Sequence, residues 1–261
     1  AAATEFLRAA GFASVNFDLM YGLPAQTVES VAQTARQTAE LAPDRVAVFG
    51  YAHVPWFKKH QKMMDEESLP GVTERYRQAT TIESELVAAG YAAIGLDHFA
   101  LPDDPLARAA AGGRLHRNFQ GYTTDSADVL IGLGASAIGR TPQGFVQNEV
   151  RIPQYQRLVA QGRLPIARGY RFAGDDRLRG EIIERLMCDH RVDVGAICRK
   201  FGADAAPMLG SAALRPLIAD ALVELEGEQL VLKPHARPLV RSVAAAFDEH
   251  LAAGGDRHSR A

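Results

Sequence analysis

Apolar and polar positions follow two different periods along the first hundred residues, and the switches between them lay out the elements. Period two from Ser14 to Tyr21 (SVNFDLMY) predicts a strand closed by Gly22-Leu23-Pro24. A helical spacing follows from Thr27 to Leu41, with Thr27 as N-cap and Ser30 and Gln33 nearby. Ahead of this unit, Ala2 to Ala10 reads as the end of a helix stopped by Gly11. A second strand is predicted from Arg45 to Ala52, a long helix from about Thr73 to Ala89 before Gly90, and a third strand from Tyr91 to Leu96. Strands alternating with helices of this length predict parallel pairing with helices outside, an α/β partial barrel or doubly wound sheet. Chemistry in such folds collects at the C-terminal strand ends.

Neither period accounts for Leu96 to Thr124, LDHFALPDDPLARAAAGGRLHRNFQGYTT, which therefore reads as a long functional loop. Its Phe99, Leu101, Leu106, Leu115, Phe119 and Tyr122 are anchors that a solvated tail would lack. The run ADVLIGLGASAIGR, with Gly132, Gly134 and Gly139, predicts a strand of close backbone approach returning to the same sheet. The pattern loosens from Gly162 to Gly174, and a domain boundary is placed near residue 170, giving units 1–170 and 171–261. In the second unit a helix is predicted over Asp175 to Arg191, a short one near Val194 to Phe201, and another near Pro207 to Leu222. A hairpin over Leu225 to Leu232 and a closing helix over Pro238 to Leu251 complete a mostly helical, winged-helix-like plan, and the tail after Leu251 is read as frayed.

Composition narrows the functions available. The chain has 261 residues, 47% of them hydrophobic, enough for a barrel portion plus a small appended domain. A net charge of −2 gives no overall attraction to nucleic acid or an anionic membrane. The predicted recognition helix sets only Arg215 against Asp220, so no nucleic-acid partner is expected. No stretch reaches the roughly 18 apolar residues of a membrane span, and no secretion signal is evident, so a cytoplasmic monomer is expected. Cys188 and Cys198, with nine residues between them, form neither a disulfide framework nor a zinc or iron–sulfur pattern.

Candidate chemistry lies at strand ends and in the long loop. Period two puts Asn16, Asp18 and Met20 on one face of the first strand, expected to face a barrel interior. A carboxylate there needs donors, either ribose hydroxyls or a ligand amine on one reading, or backbone amides or an arginine on a structural one. Ala52 in Tyr51-Ala52-His53 is a small residue at a strand end where a flat ligand could approach the backbone. His53 reads as a substrate donor or as a satisfied structural histidine. Asp97-His98 and His116-Arg117-Asn118-Phe119-Gln120 offer cations and amides suited to carboxylate recognition, with Asp103 and Asp104 as turn residues. Gly132-x-Gly134 lacks the third glycine of a dinucleotide loop and reads as room for a ligand ring.

Taken in order, NFDLMYGLP with Gln26-Thr27, Pro43-Asp44-Arg45, YAHVP, GLDHFALPDDPLA, LHRNFQGYTT, GLGASAIG and Arg168-Gly169 with Asp175-Asp176 and Leu186-Met187-Cys188 resemble the oxygen-independent coproporphyrinogen III oxidases. These are radical S-adenosylmethionine enzymes of haem biosynthesis, and the resemblance runs from about Gly11 to Leu251. It implies a partial radical-SAM-type barrel, S-adenosylmethionine and a 4Fe-4S cluster as cofactors, coproporphyrinogen III as substrate, and decarboxylation of propionates to vinyl groups through a deoxyadenosyl radical. It carries S-adenosylmethionine contacts onto Asp18, Ala52 and Ile138, and a cofactor neighbour onto Gln120. His116 and Arg117 are added as candidate propionate contacts. The Cys-x3-Cys-x2-Cys motif that holds the family's cluster does not occur here, so the chain is expected to be the later part of such an enzyme, inactive alone. Gly50 and Asp189 depart from the Asn common in the family. The alternative is a non-catalytic tetrapyrrole-binding or haem-transfer protein with His53, His98 or His116 as axial ligands, and a third reading is a DNA-binding regulator.

Overall fold

The computed structural model describes residues 1–251, so the predicted frayed tail lies outside the described residues. Helix α1 (Ala2–Ala9) precedes strand β1 (Asn16–Tyr21), helix α2 (Val28–Glu40) and strand β2 (Arg45–Gly50). Thr27 caps α2 as expected: its hydroxyl accepts from Ser30 N, and the Ser30 hydroxyl accepts from Thr27 N at 3.0 Å, two donors satisfied reciprocally. β1 and β2 pair in parallel, with Leu19 opposite Val48. Their inner face meets α2 and helix α3 (Val72–Ala88) around Val31, Ala35, Val46, Ile82 and Leu86.

The third strand departs from expectation. It ends at Ile94 (β3, Ala92–Ile94), and the chain turns back as β4 (His98–Ala100), which inserts antiparallel between β2 and β3. The four-stranded sheet is therefore mixed, in the order β1-β2-β4-β3. Gly95, at φ 53°, makes the turn.

The long functional loop is likewise a chain of short elements: β4, helix α4 (Pro105–Ala111), and a hairpin of β5 (His116–Asn118) and β6 (Gly121–Thr123). Each strand is three residues long, too short for a period to register. Asp104 does more than turn the chain. Its side chain accepts from Leu106 N at 2.7 Å to cap α4, and at 2.8 Å from Arg45 Nε, so a buried charge is paired.

The glycine-rich run does not rejoin the first sheet. Strands β7 (Ile138–Thr141), β8 (Gly144–Asn148) and β9 (Ile166–Arg171) form a separate antiparallel sheet, with helix α5 (Ile152–Ala160) between β8 and β9. A Cβ on Gly139 would lie 2.8 Å from the Leu130 carbonyl oxygen and one on Gly132 3.0 Å from the Ala137 Cβ, so these glycines serve close backbone approach, not a ligand. Asn148 secures the loop by donating to the Gly132 and Gly134 carbonyls. β9 occupies the stretch where the sequence pattern loosens.

Helix α6 (Asp176–Asp189), strand β10 (Arg191–Asp193) and helix α7 (Val194–Phe201) follow. The helix expected over Pro207 to Leu222 is two short ones, α8 (Ala206–Leu209) and α9 (Leu214–Ala219), parted at Gly210-Ser211. Strands β11 (Val223–Glu226) and β12 (Gln229–Leu232) form the expected hairpin, and β10 adds to it in the order β10-β12-β11. The closing helix is shorter than expected, a 3-10 turn over Pro234–Leu239 running into α10 (Val240–Ala245), with Pro238 inside the turn. Leu178, Ile182, Leu186, Val194, Leu214, Leu230, Val240, Val243 and Phe247 fill one core; the succession of helices, hairpin and closing helix follows the expected plan, and strand β10 is an addition to it. Both cysteines are buried and free.

Three parts meet at Gly95. The Tyr122 hydroxyl accepts from Leu96 N and donates to the Met187 carbonyl, both at 2.9 Å, tying the β3–β4 turn and the hairpin to α6. Arg237 donates to the Gly95 carbonyl through Nη2 at 2.8 Å and pairs with Glu83 at 3.1 Å. A Cβ on Gly95 would fall 2.1 Å from Tyr122 Cζ. Gly95→Ala is expected to cost about 2–4 kcal/mol by combining overlap with a strained φ. Thermal melting should show a smaller increment for the same change in a Tyr122→Ala background; equal increments would sink the overlap.

His190 caps α6 in the left-handed conformation at φ 57°, and its Nε2 is buried without a partner. Burial, with Arg237 beside it, pulls its pKa down from 6.5 to about 4. The unfolded chain therefore binds the extra proton first, and stability present above pH 6.5 drains as pH falls toward 4, by up to about 3 kcal/mol. His190→Asn, which tolerates the same φ, should flatten that part of the stability–pH curve; an unchanged slope would contradict the assignment.

Candidate functional site

The outward face of the first sheet is set by the alternation in β1. Phe17, Leu19 and Tyr21 turn toward the helices, and Asn16, Asp18 and Met20 turn away, as period two requires. In this chain the outward face is open, and Asp18 on it is exposed. β1 is the edge strand of its sheet, so no neighbour covers it, and the carboxylate meets Asn16 Nδ2 at 2.8 Å.

An aromatic row crosses this face from strand to strand. Phe49, at the end of β2, stands edge-on to His98 of β4 at 6.1 Å between centroids, and His98 stands edge-on to Tyr122 of the hairpin at 5.2 Å. The Arg117 guanidinium lies 5.7 Å from the Tyr122 ring centre, and Arg117 Nε is buried without a partner. Beyond the hairpin, Phe119 packs edge-on to Phe145 of β8 at 5.1 Å. Phe145 lies two pairs along from the Ile138–Gln147 pair, and so on the same face. Aromatic contacts thus run from the sheet that carries Asp18 to the one that carries Ile138, with Gln120 exposed at the hairpin turn between them.

Ala52 follows β2, exposed, its carbonyl accepting from Gln61 Nε2 at 3.0 Å. The loop after β1 is held by Gln78, fully buried on α3, whose side chain accepts from Gly22 N at 2.9 Å and donates to the Gln26 carbonyl at 2.7 Å. The Asn expected at Gly50 would have no room: a Cβ there would sit 3.0 Å from the Tyr21 hydroxyl and 3.1 Å from Arg75 Nη2. Asp189, the other departure, pairs with Arg185 at 2.9 Å, and burial raises its pKa.

The histidines are not gathered. His53 Nε2 faces Glu66 at 3.0 Å, His98 Nδ1 faces Asp97 at 2.8 Å, and His116 Nδ1 faces Glu184 at 3.0 Å, each with its own carboxylate. Glu184 also accepts from Arg117 N at 3.2 Å, so one α6 carboxylate orients the start of the hairpin. Glu184 and Phe145 are the residues that sequence reasoning left without a role in the site, while Phe119 was read there as a loop anchor. The contacts joining Glu184 and Phe145 to the site span other elements, and only the aromatic character of Phe145 could have flagged either.

A separate cavity of about 640 Å³, lined by Ala93, Gly95, Arg185, Cys188, His190 and Arg237 among others, holds none of the candidate cofactor or substrate contacts Asp18, Ala52, His116, Arg117, Gln120 and Ile138. The open face is shallow, so cavity size is a poor guide to it.

The two implied cofactors fare differently. An exposed carboxylate with a single amide partner, beside aromatic rings and small residues, suits the amine, hydroxyls and flat base of S-adenosylmethionine. An iron–sulfur cluster does not fit this chain. It needs three or four convergent cysteine thiolates, and the chain has two cysteines. Cys188 and Cys198 are both buried, burial pushes the Cys188 thiol up to about 12, and no group of three metal-ligating side chains occurs among the described residues.

Comparison with known proteins identifies the family. Residues 172–239 match the family model described as the HemN C-terminal domain. The chain is 55% identical to the oxygen-independent coproporphyrinogen III oxidase of Bradyrhizobium diazoefficiens over 100% of its length, and spans 58% of that relative. It is 42% identical to that of Thermostichus vulcanus over 95% of the chain and 77% of the relative. A solved structure described as "Coproporphyrinogen III oxidase (HemN) from Escherichia coli is a Radical SAM enzyme" superposes with a TM-score of 0.88 at 38% identity, over 95% of this chain and 58% of that one. Spanning about three fifths of the length of most of these relatives, the chain belongs to the oxygen-independent coproporphyrinogen III oxidase family.

Proposed function

We propose that this chain carries a cofactor- and substrate-facing wall of an oxygen-independent coproporphyrinogen III oxidase, the enzyme that converts propionates of coproporphyrinogen III to the vinyl groups of protoporphyrinogen IX. The observation that carries the reading is the continuity of the open face: Asp18, the Phe49–His98–Tyr122 row, Arg117 and the Phe119–Phe145 contact link the positions that resemble the family's cofactor contacts.

In this reading Asp18 accepts hydrogen bonds from S-adenosylmethionine, Ala52 and Ile138 pack against it, and Gln120 borders it. When bound in the intact enzyme, S-adenosylmethionine supplies the group that takes hydrogen from the propionate. The chain's own residues hold and orient. The Arg117 guanidinium, set against the Tyr122 ring, is the cation that meets a propionate carboxylate in this reading. His116, locked to Glu184, positions Arg117 and bears on the substrate through it.

The division into units 1–170 and 171–261 belongs to the same proposal, supported by the end of β9 at Arg171 and the separate core of the later elements. So do a cytoplasmic location and a monomeric state. No helix among the described residues is long and apolar enough to cross a membrane.

Two outcomes test this reading. In anaerobic calorimetric titration the chain should bind S-adenosylmethionine, and Asp18→Ala should weaken binding about tenfold while Asp103→Ala leaves it unchanged; equal affinities for all three proteins would refute the role of Asp18. Anaerobic treatment with iron and sulfide should leave the chain without the broad visible absorption of a cluster. A stable brown product that survives desalting would contradict the cysteine geometry.

A further inference from the structure

The β7–β8–β9 sheet has a cationic side that the reading above does not use. Residues directly opposite in an antiparallel ladder share a face, as do residues two apart along a strand. The pairs Ile138–Gln147 and Gln147–Arg168 therefore share a face with Arg140–Phe145 and Phe145–Tyr170. Two arginines and an aromatic pair thus stand on the same side as Ile138.

This side is open. Every residue of β9 is exposed, and so is Arg140. On the opposite side Gly139 and Asn148 are buried against the loop that holds Gly132 and Gly134, while Gly169 and Arg171 of β9 are exposed there too. The aromatic surface continues in both directions, Phe145 meeting Phe119 at 5.1 Å and Phe172 at 4.9 Å.

The charge is one-sided. Between residues 138 and 174 there are six arginines and one acid, Glu149, in a chain of net charge −2. Glu149 is taken by Arg151 at 3.3 Å. The other nearby acid, Asp176, is occupied by the Tyr170 hydroxyl at 2.7 Å, His250 at 2.9 Å and Ala173 N at 2.7 Å. Arg168 is pre-oriented by Nε donation to Gln147 at 2.7 Å, which leaves its two terminal nitrogens outward. Arg140 makes no side-chain bond among the described residues.

We infer that Arg140 and Arg168 are carboxylate anchors for a flat polycarboxylate ligand lying on Phe145 and Tyr170. Strand spacing puts the two arginine backbones about 12 Å apart on the diagonal, a span that the peripheral carboxylates of one macrocycle can bridge. Guanidinium forks bind carboxylates bidentately, and aromatic faces accept a flat ring. The inference rests on the proposed function, which supplies a tetrapyrrole with four propionates as the occupant. It adds a site for propionates beyond the one that meets Arg117.

The test uses coproporphyrin III, the stable oxidised form of that ring system, titrated into the chain with fluorescence readout. The wild-type chain should bind it more tightly than mesoporphyrin IX, which carries two propionates. Arg140→Gln with Arg168→Gln should weaken coproporphyrin binding by about tenfold or more, abolish the preference over mesoporphyrin, and reduce the salt dependence. Arg140→Lys with Arg168→Lys should fall between, and Arg163→Gln, away from this face, should bind as wild type. Undiminished binding by the double Gln variant, or an equal loss in Arg163→Gln, overturns the anchor assignment and leaves the proposed function standing. Absence of porphyrin binding by the wild-type chain overturns both.

Discussion

The structure depends on the Tyr122 ring lying over Gly95. Only a residue without a Cβ allows the ring to come so close, and the hydroxyl then reaches a turn amide and an α6 carbonyl together. Burial holds the phenol protonated, pushing its pKa up to about 12, so both bonds persist across the physiological range. The Arg237 bonds to the Gly95 carbonyl add the C-terminal core to the same point. Two bonds from one buried hydroxyl are worth far more than their individual energies here, because they fix the relative position of the first sheet, the hairpin and α6.

That fixed position creates the face on which the functional reading stands. The hairpin sets Arg117 and Phe119 beside the outward side of β1, β2 and β4, and the ring contact between Phe119 and Phe145 passes the alignment to the third sheet. The face combines flat aromatic surface with cations and the exposed Asp18 carboxylate at its margin. On the proposed reading such a face would orient a large anionic ring and a polar cofactor by geometry and charge, tasks separable from radical generation.

Much of the frame was legible in the sequence because it is built from local signals. Thr27 with Ser30, and Asp193 with Gly202, mark helix starts and stops within a few residues, and α7 matches its expected bounds. The face that Asp18 occupies followed from period two alone. Its exposure did not, since that depends on which strands lie beside β1. The β3–β4 turn hid inside an apolar run, three-residue strands hid inside a polar one, and both errors came from reading periods over too few residues. Gly132 and Gly139 of GLGASAIG were read correctly as points of close approach, to Ala137 and to the Leu130 carbonyl, whereas Gly134 has open space around it. The pairing of His116 with Glu184, 68 residues apart, has no local signature.

The central claim, that the open sides of the first sheet, the hairpin and the third sheet act as one ligand face, is tested most directly by amide chemical-shift mapping on the isotope-labelled chain with S-adenosylmethionine and coproporphyrin III together. The account predicts contiguous perturbation through Asp18, Ala52, Gln120 and Ile138, with the amides lining the cavity at Ala93 and His190 unmoved. Perturbation centred on that cavity, or confined to the C-terminal core, would contradict it.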